Sequence, residues 1–166
     1  MMNNTKKIAY LGVGIALYFV LSMLANIPLI GNIRLDCGYI VYAIYLVIFG
    51  WFGIPVGVIG CFIKGYISDG WIPFTWMIGQ TIIGISCAYM FSKTNKKVIQ
   101  ILTIIISVFL GIAIVSSGLS AIMFNLPLGL KIFKGCVGAL VDSIAMIIGL
   151  FIADKLKKHI NKGNDI

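Results

Sequence analysis

The chain has 166 residues, 60% of them hydrophobic and only 11% charged, with a mean hydropathy of +1.07. This composition excludes a soluble globular domain and describes an integral membrane protein of one domain, whose apolar surface faces lipid. The net charge of +8 does not point to nucleic acid, because the basic residues stand at the edges of apolar runs rather than in a patch interleaved with aromatics.

Lys6 and Lys7 precede the first apolar run, Ile8 to Ala25. That run is longer than a signal-peptide core of about 7 to 15 residues and no small-x-small cleavage site follows, so a retained first helix is expected. Further runs occupy Cys37 to Phe52, Ile54 to Ile67, Phe74 to Phe91, Val98 to Phe124 and Ile132 to Ala153. A helix needs about 20 residues to cross a hydrocarbon core about 30 Å thick, which the first, fourth, fifth and sixth runs supply. The second and third are short and are joined by Trp51-Phe52-Gly53-Ile54-Pro55, an apolar turn. They either cross as two short helices or dip in as a re-entrant hairpin, returning the chain to the same side in both cases. The expectation is an all-α bundle of six transmembrane helices over residues 1–166, with helices 2 and 3 short.

Orientation follows from the lysines. With the N-terminus inside, Lys6, Lys7, Lys93, Lys96, Lys97, Lys155, Lys157, Lys158 and Lys162 are cytoplasmic, and the outer connections hold only Arg34 and Lys131, with Lys134 just inside the sixth helix. Both termini are expected in the cytoplasm. The outer connections, Asn26 to Asp36, Ser68 to Phe74 and Asn125 to Lys131, mix single charges with Pro, Gly and aromatics, as segments that fold over a cavity do. Solvated hinges have the same composition.

Lys64 carries the chemistry. Gly53, Gly57, Gly60, Lys64 and Ser68 step by three or four and share one helix face, where small residues let helices approach closely. On the last helix Lys131, Gly135, Gly138, Asp142, Ala145, Gly149 and Ala153 do the same. Counted at about 1.5 Å per residue, Lys64 from its inner end and Asp142 from its outer end each lie roughly 15 Å deep, which leaves room for the two to meet near the midplane. A charge at that depth costs about 2.5 to 3.5 kcal/mol, so such residues are paired or functional. The readings are a polar binding cavity, a structural ion pair, or outward snorkelling of Lys64.

Gln80 lies one turn below Trp76, and a flat ring beside an amide suits a heteroaromatic ligand, although core packing uses the same residues. Trp71 reads as an interfacial residue. Ala9, Gly12 and Ala16 form a small-residue stripe on helix 1, suited either to internal packing or to docking another membrane subunit. Cys37, Cys61, Cys87 and Cys136 lie singly and His159 is the one histidine, so no metal site, disulfide framework or cofactor is expected. No phosphate loop, H-E-x-x-H or G-x-S-x-G is present, and no enzyme activity is expected.

Three stretches, Ile33-Arg-Leu-Asp-Cys-Gly-Tyr-Ile-Val, Phe49-Gly-Trp-Phe-Gly-Ile-Pro-Val-Gly-Val-Ile-Gly, and Gly65-Tyr-Ile-Ser-Asp-Gly with Ile72-Pro-Phe-Thr-Trp-Met-Ile-Gly-Gln-Thr-Ile-Ile-Gly, carry a resemblance. The chain resembles the substrate-binding S component of energy-coupling factor (ECF) transporters, the riboflavin-type branch, most densely from Ile33 to Phe91. The resemblance implies a six-helix subunit of a bacterial plasma-membrane ABC importer. It would capture a vitamin-like molecule, riboflavin-like or queuosine-precursor-like, under a lid formed here by Ile27 to Asp36 with Arg34 and Asp36. It implies partners, a transmembrane T component and two ATPase subunits that supply the ATP hydrolysis. The family's Ala-x-x-x-Ala docking motif has its best match in Gly12-x-x-x-Ala16. On this reading Lys64, Gln80, Asp142, Asn125 and Lys131 meet the polar edge of the substrate, and Trp76 or Tyr39 its aromatic part. A cation favours a carboxylate, phosphate or carbonyl-rich ligand, whereas Asp142 equally receives an amine or amidine. The competing reading is a structural or assembly subunit without a ligand, in which the buried charges fix helix register.

Overall fold

Each apolar run forms helix, because a backbone out of reach of water has to satisfy its N–H and C=O groups within its own segment. The computed structural model describes residues 4–24, 26–30, 33–68 and 73–163. In chain order these form α1 (Asn4–Leu24), β1 (Asn26–Ile30), β2 (Ile33–Asp36), α2 (Gly38–Phe49), a 3-10 turn (Gly50–Gly53), α3 (Ile54–Ser68) and α4 (Pro73–Lys93). There follow α5 (Lys97–Val108), a π-helical stretch (Phe109–Ser116), α6 (Ser117–Met123) and α7 (Leu128–Gly163). Asp69–Ile72, including Trp71, lie outside the described residues, as do Gly31 and Asn32 of the expected lid.

Among the described residues five stretches are long and apolar enough to cross a membrane: Thr5–Leu24, Gly38–Ser68, Phe74–Lys93, Lys97–Met123 and Leu128–His159. Within Gly38–Ser68 the chain doubles back. A Cβ added to Gly53 would stand 2.6 Å from the Tyr45 carbonyl, and one on Gly57 would enter the Tyr42 ring. Residues eight and fifteen apart touch only across a hairpin, since a straight helix rises about 1.5 Å per residue. Gly50, at φ 57°, supplies the left-handed residue that turns α2 into α3.

Contacts between helices sort the bundle into two ends. At one, Lys7 lies 4.7 Å from the Phe52 ring centroid, Lys97 pairs with Asp154, and Gln100 donates to the Thr94 carbonyl at 2.8 Å. The N-terminus of α1, the α2–α3 turn, the α4–α5 connection and the end of α7 therefore lie together. At the other, Ser22 reaches Asp36 and Thr75 reaches Ser120 at 2.8 Å, so the β-hairpin, the start of α4 and the end of α6 lie together.

The β-hairpin is an addition to the expected all-helical chain. Strands β1 and β2 pair antiparallel with Asn26 opposite Asp36 and Pro28 opposite Arg34, and the register shifts between Pro28 and Ile30. Pro28 has no N–H to donate and suits such an irregular, two-stranded ladder. The π-helical stretch is a second addition. Ser116 and Ser117 donate to the carbonyls of Gly111 and Ile112, five residues back, at 2.8 and 2.9 Å. Gly79 of α4 makes the stretch compact, for a Cβ on Gly111 would stand 2.6 Å from its carbonyl oxygen.

Candidate binding site

Tyrosines lodged over glycines run down the bundle from its hairpin end. Tyr39, Tyr42 and Tyr45 recur every three residues on α2 and all are buried. Tyr18 of α1 meets Tyr39 and Tyr42 at centroid distances of 6.3 and 6.4 Å. The rings fit because α3 and α4 present no side chain to them: a Cβ on Gly60 would stand 2.5 Å from the Tyr18 ring, and one on Gly84 would strike the Tyr42 hydroxyl. The glycine face of α3 thus looks into the bundle, and Gly57, Gly60 and Lys64 share it.

Asp36, the last residue of β2, is the hub of the charges. Its Oδ1 accepts from the Ser22 hydroxyl at 2.6 Å and from the Gly38 N–H at 2.9 Å, and its Oδ2 takes Lys64 Nζ at 2.5 Å. Its own N–H donates to Asp142 Oδ1 at 3.4 Å. One carboxylate therefore joins the hairpin to α1 and α3, and its backbone joins it to α7. Beside it, burial and then the Asp36 charge push the Cys37 thiol upward from its ordinary pKa.

The structure places Lys64 nearer the hairpin than the depth count does and pairs it with Asp36. Helix α3 has 15 residues, so Lys64 stands four residues from its end, about 6 Å, next to the hairpin rather than at the middle of a span. There Asp36 takes the ion pair, and Asp142 stays within electrostatic range of Lys64. Asp142 is 7% exposed, and among the described residues its one hydrogen bond is the long one from Asp36.

Gln80 is 1% exposed. Its Nε2 donates to the Tyr39 hydroxyl and its backbone carbonyl accepts from the Tyr42 hydroxyl at 2.8 Å. In this amide orientation its Oε1 is buried with no hydrogen-bond partner among the described residues. A buried acceptor left unpaired costs about 1–3 kcal/mol, a cost that turning the amide over to accept from the Tyr39 hydroxyl would shift to the amide N–H. Tyr39 also lies within electrostatic range of Asp142, so Gln80, Tyr39 and Asp142 form one neighbourhood with Asp36 and Lys64.

The other expected residues are dispersed. Trp76 is half-buried and packs against the core. Asn125 is exposed in the α6–α7 turn at φ 50°, and among the described residues no hydrogen bond ties it to the Asp36 hub. Arg34 lies in β2, opposite Pro28. Ala9, Gly12 and Ala16 are all exposed on α1, with nothing within 4 Å of a Cβ added to Gly12, so this stripe does not serve packing between the helices of this chain. Sequence reasoning missed Ser22, Tyr18 and Tyr42; the three-residue spacing of tyrosines on α2 was the available signal, while a lone serine in an apolar helix carries none.

The sequence matches the family described as ECF-type riboflavin transporter, S component, over residues 2–158. The chain belongs to this S-component family. Its relatives include a UPF0397 protein of Streptococcus thermophilus, 30% identical over 145 residues and covering 86% of this chain and 72% of the relative. A UPF0397 protein of Streptococcus agalactiae is 27% identical over 175 residues, covering 98% and 96%. The crystal structure of the S component for biotin from an ECF-type ABC transporter has the same fold, with a TM-score of 0.68 at 17% identity over 95% of both chains. S components are transporter subunits, not enzymes, and with its membrane-spanning stretches this one is a membrane protein.

Proposed function

We propose that this S component captures a small vitamin-like molecule from outside the cell and passes it inward with a T component and two ATPase subunits. The observation that carries the reading is the buried polar neighbourhood of Asp36, Lys64, Asp142, Tyr39 and Gln80, at one end of an otherwise apolar bundle and under a β-hairpin that its own charges hold down. Trp76 lines the aromatic side of the site, and Asn125 joins it as the substrate enters. The hairpin from Asn26 to Asp36 acts as the lid, opening when the Asp36 contacts are exchanged for contacts with the substrate.

The chain crosses the bacterial plasma membrane six times, α2 and α3 being the short pair. The end that gathers Lys6, Lys7, Lys93, Lys96, Lys97, Lys155, Lys157 and Lys158 faces the cytoplasm by the positive-inside rule, which sets the hairpin outside. Ala9, Gly12 and Ala16, exposed near the cytoplasmic end of α1, dock the T component, where small residues permit close helix approach. Release requires that partner, because a ligand shifts a conformational equilibrium only by its differential affinity for the two states.

Co-expression with an ECF T component and its two ATPases tests the reading. A four-subunit complex that takes up the substrate extracted from the purified S component into ATP-loaded vesicles is the expected result; a chain that purifies alone and supports no uptake contradicts it. The satisfied Asp36–Lys64 pair favours, for that pair, the alternative role of fixing helix register. That role predicts that replacing both residues spares substrate capture.

A further inference from the structure

Lysines crowd the end of the bundle opposite the hairpin. Lys93 and Lys96 stand at the end of α4 and in the α4–α5 connection, and Lys155, Lys157 and Lys158 on the last turns of α7; all five are exposed. The positive-inside rule accounts for lysines at this end but does not require the two groups to lie side by side. The fold brings them together. Lys97, the first residue of α5, pairs with Asp154 of α7 and donates to Gln100 Oε1 at 2.9 Å, while Gln100 Nε2 holds the Thr94 carbonyl at 2.8 Å, so the connection is tied against α7. Lys157 and Lys158, three and four residues on from Asp154, share its side of the helix. Asp154 is the one carboxylate at this end among the described residues, and Lys97 has taken it. The other five lysines have no carboxylate partner among the described residues, and like charges gathered by the backbone repel one another unless a counter-charge comes from outside.

Two features say what supplies it. The adjoining surface faces lipid: Tyr89, Val98 and Leu156 are exposed, and Lys93 Nζ lies 5.7 Å from the Tyr89 ring centroid, an aromatic and a cation together as at a membrane interface. Helix α5 packs on α4 and α7, whereas α1, with its small-residue stripe, packs on α2 and α3, so the lysines stand apart from the surface proposed for the T component. A counter-ion with its charge at the interface and its apolar part along those side chains is an anionic lipid.

We propose that the seam between the α4–α5 connection and the end of α7 binds the phosphodiester headgroup of an anionic phospholipid, whose acyl chains lie along the exposed apolar faces of α4, α5 and α7. The site is separate from substrate capture and does not rest on that reading.

The test is thermal unfolding of the detergent-purified chain titrated with phosphatidylglycerol and, at matched acyl chains, with phosphatidylcholine. Phosphatidylglycerol is expected to reach half-maximal stabilisation at a concentration roughly 10-fold or more below phosphatidylcholine, each lysine near an anionic surface being worth about fivefold. Lys157→Gln with Lys158→Gln raises the phosphatidylglycerol concentration needed by roughly 10-fold. Lys93→Gln with Lys96→Gln does the same from the other side of the seam and guards against a first variant that fails to fold. Lys131→Gln with Lys134→Gln removes as many charges about 40 Å away along α7, several screening lengths, and shifts the concentration by less than about twofold. Equal stabilisation by the two lipids overturns the proposal, as does an equal shift for the pairs at the two ends, which is the behaviour of net charge alone. Stabilisation by inorganic phosphate at the concentration at which phosphatidylglycerol acts also overturns it and makes the occupant a free anion.

Discussion

Lys64→Met is the perturbation for which the structure gives the sharpest expectation. The Lys64 and Asp36 side chains are 22% and 11% exposed, so their ion pair is not one of the solvent-exposed kind that contributes about 0–1 kcal/mol. Removing the ammonium alone leaves Asp36 buried beside Asp142, with only the neutral donors Ser22 and Gly38 to compensate, and stranding a buried charge costs about 3–5 kcal/mol. Asp36→Asn is milder, about 1–3 kcal/mol, because the amide oxygen still accepts from Ser22 and Gly38 and Lys64 has Asp142 within range. The double variant strands no buried cation and is expected to lose about 1–2 kcal/mol, less than Lys64→Met alone. Reversible SDS-driven unfolding in mixed micelles, followed by helical circular dichroism, gives all four corners of the cycle. A Lys64→Met loss below about 1 kcal/mol, or a double variant that costs the sum of the singles, refutes the hub.

Gly60→Ala drives a methyl to 2.5 Å from the Tyr18 ring and should lower stability by about 1–3 kcal/mol, the usual cost of overpacking; a neutral result in the same unfolding assay would place that ring elsewhere. Gly12→Leu, with open space around it, should change stability by no more than about 0.5 kcal/mol yet abolish co-purification with the T component. Retained co-purification would move the docking surface off α1. The Cys37 thiol is held up by burial and then by the Asp36 charge. Asp36→Asn removes the second cause and favours the thiolate, so the midpoint of iodoacetamide alkylation rate against pH should move to lower pH; an unmoved midpoint would separate the two groups.

Much of the bundle was legible because lipid removes options. Apolar runs had to be helix, and glycines recurring every three or four residues on α3 had to face other helices. Pairing was less legible. Counts of depth along two spans left room for Lys64 to meet Asp142, but Asp36, one residue before Cys37 and reading as part of a loop, stands nearer and takes the ion pair. The strand pair was hidden because Asn26-Ile-Pro-Leu-Ile and Ile33-Arg-Leu-Asp are too short for periodicity to separate strand from apolar loop. The π-helical stretch depends on two serine hydroxyls reaching carbonyls five residues back, which no spacing rule anticipates. Gln80 was singled out for its ring neighbour Trp76, yet its distinguishing property is a buried amide that the described residues leave partly unpaired in either orientation.

Native mass spectrometry of the chain purified gently from cells grown in rich medium tests the central claim most directly. The account predicts a co-purifying small molecule, released on denaturation and lost in Asp142→Asn. A clean apo mass for the wild-type chain, with no thermal stabilisation by any vitamin offered, would contradict it and leave the buried charges as fixtures of helix register alone.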